Sequence, residues 1–172
     1  MTIATQLSDP RYDYISPSDK EFILQFDAEM ETQGYSTGGV ITPGYAGAPA
    51  WGRYLLIYAK VGVKSKKVAA RIYCTDNGII LRLFLNNIDK HIGFIKTAPE
   101  YIRVVFDNGF GDCHHCQSRP EGLCKFRKTY TLNGEPHEKC NGEVFQFFNP
   151  DIKNLPIYMD LFREFYPARQ KI

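Results

Sequence analysis

Val68-Ala-Ala-Arg-Ile-Tyr-Cys-Thr-Asp-Asn-Gly-Ile-Ile-Leu-Arg-Leu-Phe-Leu85 is two apolar-rich runs on either side of a turn signal. Asp76-Asn77-Gly78 predicts a hairpin between strands over Val68–Cys74 and Ile79–Leu85. With Asn77 and Gly78 as the two turn residues, Tyr73 stands opposite Arg82 and Arg71 opposite Phe84. Side chains alternate across a strand, so Ala70, Ile72, Cys74, Leu81, Leu83 and Leu85 share one face. That face is core, and Cys74 within it reads as a small buried hydrophobe. Arg71, Tyr73, Ile80, Arg82 and Phe84 share the other face. Guanidinium groups interleaved with aromatic rings suit stacking against a planar, negatively charged ligand. The same pairs also stabilise a sheet with no ligand present.

Working outward, Arg53–Ala59 is a preceding strand, joined through the basic turn Lys60-Val-Gly-Val-Lys-Ser-Lys-Lys67. Before it, residues 38–52 are too rich in glycine and proline for a regular element and carry Trp51, the only tryptophan. Their glycine spacing fits no common phosphate-binding fingerprint. A loop or lid is expected, with Trp51 and Arg53 placed to cover the arginine–aromatic face. Further upstream, Ser18-Asp-Lys-Glu21 has the capping-box spacing. Phe22, Ile23, Phe26 and Met30 then recur on one face of a helix that Gly34 can stop.

Downstream, Asn87 can cap a short helix with Ile88, His91, Ile92 and Ile95 along one stripe. Pro99 opens another through Phe106, with Ile102, Val105 and Phe106 facing inward and Gly109 ending it. Phe126–Leu132 reads as a strand, Asn133-Gly134 as a turn and Glu143–Phe148 as the returning strand. Asn154 and Pro156 start a last helix in which Ile157, Leu161, Phe162 and Phe165 pack.

Between those elements lie four of the five cysteines, Cys113, Cys116, Cys124 and Cys140. Cys113-His114-His115-Cys116 is a Cys-x-x-Cys turn, and four thiolates within one segment match the soft tetrahedral donor set that zinc prefers. Structural zinc is the expectation. An iron–sulfur cluster and a redox pair at Cys113 and Cys116 are alternatives, although ferredoxin spacings and a thioredoxin-like setting are both missing. His114, His115 and His137 could replace a cysteine ligand or bind a second ion, although ordinary surface histidines in a turn are the default. An odd cysteine count argues against a disulfide framework. No deaminase pattern, nucleophile elbow, His-Glu-x-x-His helix or kinase signature occurs, so no catalytic residue is assigned and enzymatic activity stays open.

At 172 residues, 44% hydrophobic and 23% charged, the chain is within the size of one globular domain. The elements predict an α+β fold, mainly antiparallel sheet packed with three to four helices, plus a four-cysteine zinc loop and hairpin. The order is an N-terminal helix over 18–33, sheet and helices over 53–108, zinc loop and hairpin over 111–148, and a C-terminal helix over 154–166. Residues 1–50 hold two basic and seven acidic side chains; residues 51–172 hold 19 basic and 12 acidic. The basic remainder permits an anionic partner. With no secretory leader pattern and no apolar run of membrane-spanning length, a cytoplasmic protein without a membrane partner is expected. The leading function is a zinc-stabilised binding domain for a small anionic or nucleotide-like ligand held by Arg71, Tyr73, Arg82, Phe84, Trp51 and Arg53. Nucleic-acid binding through Lys125–Tyr130 and the Lys60–Lys67 turn is the alternative. A metal- or thiol-dependent enzyme is the third.

Overall fold

The computed structural model of the chain describes residues 1–45, 51–65, 67–108, 127–139 and 145–168. The expected zinc ligands Cys113, Cys116, Cys124 and Cys140 lie outside these residues, as do His114, His115 and Gly109. The fold is α+β, with antiparallel sheet and five α-helices among the described residues. None of those helices is long and apolar enough to cross a membrane. The chain falls into two compact units, Met1–Phe84 with Phe147–Ile172, and Leu85–Gln146.

In the first unit, α1 (Ile3–Leu7) is a short helix with too few positions for a readable period in the sequence. α2 (Pro17–Thr32) follows. Its cap is Ser16, not Ser18: the Ser16 hydroxyl accepts from the amide of Asp19 at 3.1 Å, and Pro17 takes the first helical position, where no amide is needed. Phe22, Ile23, Phe26 and Met30 are buried as expected, and Gly34 ends the helix in the left-handed region at φ 80°.

The sheet runs in the order β1 (Tyr35–Ser36), β3 (Tyr54–Lys60), β4 (Val68–Thr75), β5 (Gly78–Leu83), β8 (Gln146–Phe148), with β2 (Thr42–Pro43) also on β3. Ala70, Ile72, Cys74, Leu81, Leu83 and Leu85 are all buried, so the core face falls where alternation places it. Tyr58 of β3 points the same way and meets Phe26 of α2 edge-on at 5.2 Å. Burial pushes the Cys74 thiol up to about 12, in keeping with an inert core residue.

The register differs from the expected one. Arg71 is opposite Arg82, and Tyr73 is opposite Ile80, because Asp76 and Asn77 occupy the loop while Gly78 pairs with Thr75. An Asn77-Gly78 turn needs left-handed backbone at both residues, and only Gly78 has it, at φ 119°. The Thr75 hydroxyl accepts from the Asn77 amide and donates to the Gly78 carbonyl, closing the tighter loop. A Cβ on Gly78 would also lie 1.9 Å from Oδ1 of Asn149. α5 (Leu155–Phe165) completes this unit. It buries Leu155, Tyr158, Met159, Leu161 and Phe162; Ile157 and Phe165, expected to pack, are only half-buried.

In the second unit, Ile88–His91 forms one 3-10 turn before α3 (Ile92–Thr97), and Asn87, at φ 55°, supplies no side-chain cap. α4 (Glu100–Asp107) buries Ile102 and Phe106, while Val105, expected to face inward with them, is only half-buried. β6 (Lys128–Leu132) turns through Asn133-Gly134, both at positive φ, and pairs at once with β7 (Glu135–Lys139). The returning strand is therefore Glu135–Lys139 and not Glu143–Phe148, whose last residues instead form β8 beside β5. Pro136 and the charged residues around it hide that strand from an apolar-alternation reading, yet a two-stranded ladder tolerates proline on its outer side.

Half-buried Asp27 on α2 has its carboxyl held above the ordinary range, first by burial and then by Glu31. A raised folded pKa means the carboxylate is disfavoured in the fold, so stability is lost as pH rises from about 3.8 through the folded value. Asp27→Asn should raise the denaturation midpoint at pH 7, with the gain vanishing below about pH 4, and urea unfolding at both pH values reads it.

Candidate functional site

The non-core face of β4 and β5 carries the predicted ligand residues. Arg71 and Arg82 stand directly opposite one another, and both guanidinium groups stack on Phe84, with Cζ at 5.2 and 4.2 Å from its ring centre. Like charges facing each other across a ladder oppose pairing, and the ring they share offsets part of that repulsion. Nη1 of Arg82 donates to the Tyr73 hydroxyl at 3.3 Å. Phe84 is fixed from the backbone, its amide donating to Ala69 and its carbonyl accepting from the Tyr166 hydroxyl.

Burial divides these residues into two kinds. Tyr73 is 1% exposed and Arg82 3%, so they form the support beneath the face. Arg71 and Phe84 are half-buried and reach solvent. Nε of Arg71 is buried with no hydrogen-bond partner among the described residues. Trp51 is 37% exposed and lies 5.9 Å from the Tyr73 ring at a tilt of 40°. Gly52 makes that approach feasible, since a Cβ there would fall 2.4 Å from the Cys74 carbonyl oxygen. Arg53 is placed differently. Its guanidinium pairs with Asp76 at 2.6 Å and sits 4.5 Å over the Tyr14 ring, at the hairpin's turn. The structure thus gathers Arg71, Tyr73, Arg82, Phe84 and Trp51, while Arg53 braces the loop.

The cysteine-bearing stretches, 109–126 and 140–144, start and end at Asn108, Arg127, Lys139 and Phe145. Lys139 is 1% exposed, and its ammonium donates to the carbonyls of Val105, at 3.2 Å, and Asn108, capping the C-terminal end of α4. Burial pulls its pKa down to about 8, while the nearby Asp107 acts in the opposite direction. Lys139 pairs across the hairpin with Lys128, next to Arg127. Phe145 stacks near Phe106 at 5.0 Å and Tyr130 at 6.4 Å, and the Tyr130 hydroxyl donates to the Phe106 carbonyl. All four flanking residues are therefore tied to one end of the β6–β7 hairpin and to α4. Lys139 was not singled out from sequence, because a lysine after glutamate in a polar run carries no signal of burial. His137 stacks on Tyr130 at 5.1 Å and 11°.

Lys139→Ala removes a charged cap and leaves two helix carbonyls unsatisfied, so a loss of about 2 kcal/mol in chemical denaturation is expected. An unchanged midpoint would show that water replaces the ammonium without cost. In comparisons with protein families, curated proteins and solved structures, nothing matches this chain, so its function rests on the side chains described above.

Proposed function

We propose that this chain is a zinc-stabilised binding domain for a small, planar, anionic ligand of nucleotide-like character. The observation that carries the reading is the pair of directly opposed guanidinium groups sharing one aromatic ring, with Arg71 reaching solvent. An anion set against Arg71 relieves the repulsion between the two cations, and the half-buried Phe84 offers aromatic surface to a planar group. Arg82 and Tyr73 hold that geometry from below, and Trp51 flanks it.

Zinc at Cys113, Cys116, Cys124 and Cys140 is the metal half of the proposal. Support comes from ligand chemistry and from chain reach. At no more than about 3.6 Å per residue, Cys113 lies within about 18 Å of Asn108, Cys124 within about 11 Å of Arg127, and Cys140 beside Lys139. Those three anchors belong to one corner of the second unit. Zinc there would hold the loops together and supply no reaction chemistry.

Nucleic-acid binding through Lys125–Tyr130 is less favoured. Arg127 pairs with Glu138 at 2.5 Å, Lys128 donates to Asn86, and Tyr130 is buried on α4, so these side chains are engaged within their own unit. A metal- or thiol-dependent enzyme ranks third, since it has only the cysteines to rest on.

Protein purified under reducing conditions should carry about one zinc per chain by elemental analysis, and chelation should lower its thermal midpoint. Metal-free protein of unaltered stability would remove the zinc half. Trp51, the sole tryptophan, reports on the ligand half. Titration with adenosine monophosphate should change its fluorescence saturably, and Arg71→Ala should weaken that binding about 10- to 100-fold, as loss of charge-assisted hydrogen bonds requires. A flat titration would remove the ligand half.

A further inference from the structure

Beside the face that carries Arg71, the first unit has a cleft of about 450 Å³. Its lining includes Ile57, Ala59, Val61, Val63 and Val68, closed along one side by residues 36–38. Ile57 is the direct ladder partner of Arg71. Opposed residues of an antiparallel pair point to the same side with Cβ atoms about 5 Å apart, so the apolar cleft begins next to the Arg71 side chain. Its volume is within the range of small-ligand sites.

Two features of the far wall call for an occupant. Val61 is 61% exposed and Val63 44% exposed, an arrangement of apolar surface in water that a ligand chain would cover. The turn that carries them also holds Lys60, Lys64 and Lys67 and no acidic residue, so its own charge is positive. The apolar lining thus runs from beside Arg71 on the sheet to a turn of positive charge.

We propose that the ligand of this face carries an unbranched aliphatic tail, its anionic head held at Arg71 and its tail lying along Ile57, Ala59, Val61 and Val63. The ligand class is a planar anion conjugated to a medium-length chain, and a medium-chain carboxylate is the simplest probe of its tail. This rests on the reading of Arg71 as the anion contact. A nucleic acid is disfavoured at this cleft, because valine and alanine offer neither stacking nor hydrogen bonds to bases or phosphates.

The test is calorimetric titration of the full chain with sodium butyrate, octanoate and decanoate below their micelle concentrations, alongside adenosine monophosphate. Octanoate should bind at least about tenfold more tightly than butyrate, since each CH₂ fully removed from water contributes about fourfold and an open cleft covers each one partly. In the double variant Val61→Asp, Val63→Asp, at exposed turn positions that do not threaten folding, the ratio of octanoate to butyrate affinity should fall towards one. Equal affinities for butyrate and octanoate in the unaltered chain would overturn the tail while leaving the anion site standing. An undiminished ratio in the double variant would also overturn it, by placing the tail elsewhere. No binding of any of the four anions would remove the anion site and the tail together.

Discussion

The inner pair of strands, β4 and β5, buries an unbroken set of apolar side chains on one side, and most of the first unit is arranged by that burial. Ala70, Ile72, Cys74, Leu81 and Leu83 lie at or near zero exposure, and Leu56 and Tyr58 of β3 extend the same surface towards α2. Once this face is committed to the core, alternation sends Arg71, Tyr73, Arg82 and Phe84 to the other side with no freedom of choice. Burying one guanidinium at 3% exposure is costly, and the fold accommodates it with a hydroxyl partner and a ring beneath the charge. The charged face is therefore a consequence of the apolar one.

That dependence explains which parts of the fold were legible in the sequence. Faces are set by parity, and a two-residue error in pairing preserves parity, so the membership of both faces was readable although the neighbours were not. The neighbours depend on which residues of Asp76-Asn77-Gly78 adopt left-handed backbone, and Asn77 is chemically able to do so without being obliged to. The consequence for the site is substantial. Moving Arg82 from Tyr73 to Arg71 brings two like charges together, where the expected register separates them. Burial of Tyr73 and Arg82 was not legible either, since strand alternation marks a face without stating whether it is covered.

Other departures trace to competition between local signals. Ser16 and Ser18 are both acceptable caps, and Pro17 decides between them by favouring the first helical position. On β7, Glu135-Pro136-His137-Glu138-Lys139 has no apolar period, because its buried members are held by an aromatic stack and by an ammonium cap on α4. Its strand character comes from the Asn133-Gly134 turn, which pairs whatever follows it. Arg53 looked like part of the cover over the arginines, but the carboxylate of Asp76 offers a nearer ionic partner.

The same anchoring bears on what a metal would contribute. In small metal-nucleated domains the ion supplies most of the folding free energy, because nothing else brings its ligands together. Here Lys139 joins β7 to the end of α4, Tyr130 does the same from β6, and Phe145 packs on both Phe106 and Tyr130. The ends of the 18-residue and five-residue stretches that carry the cysteines are thus fixed by interactions that need no ion. Closing a loop whose ends are already held costs little further entropy. A metal there would therefore stabilise an existing unit and not create it.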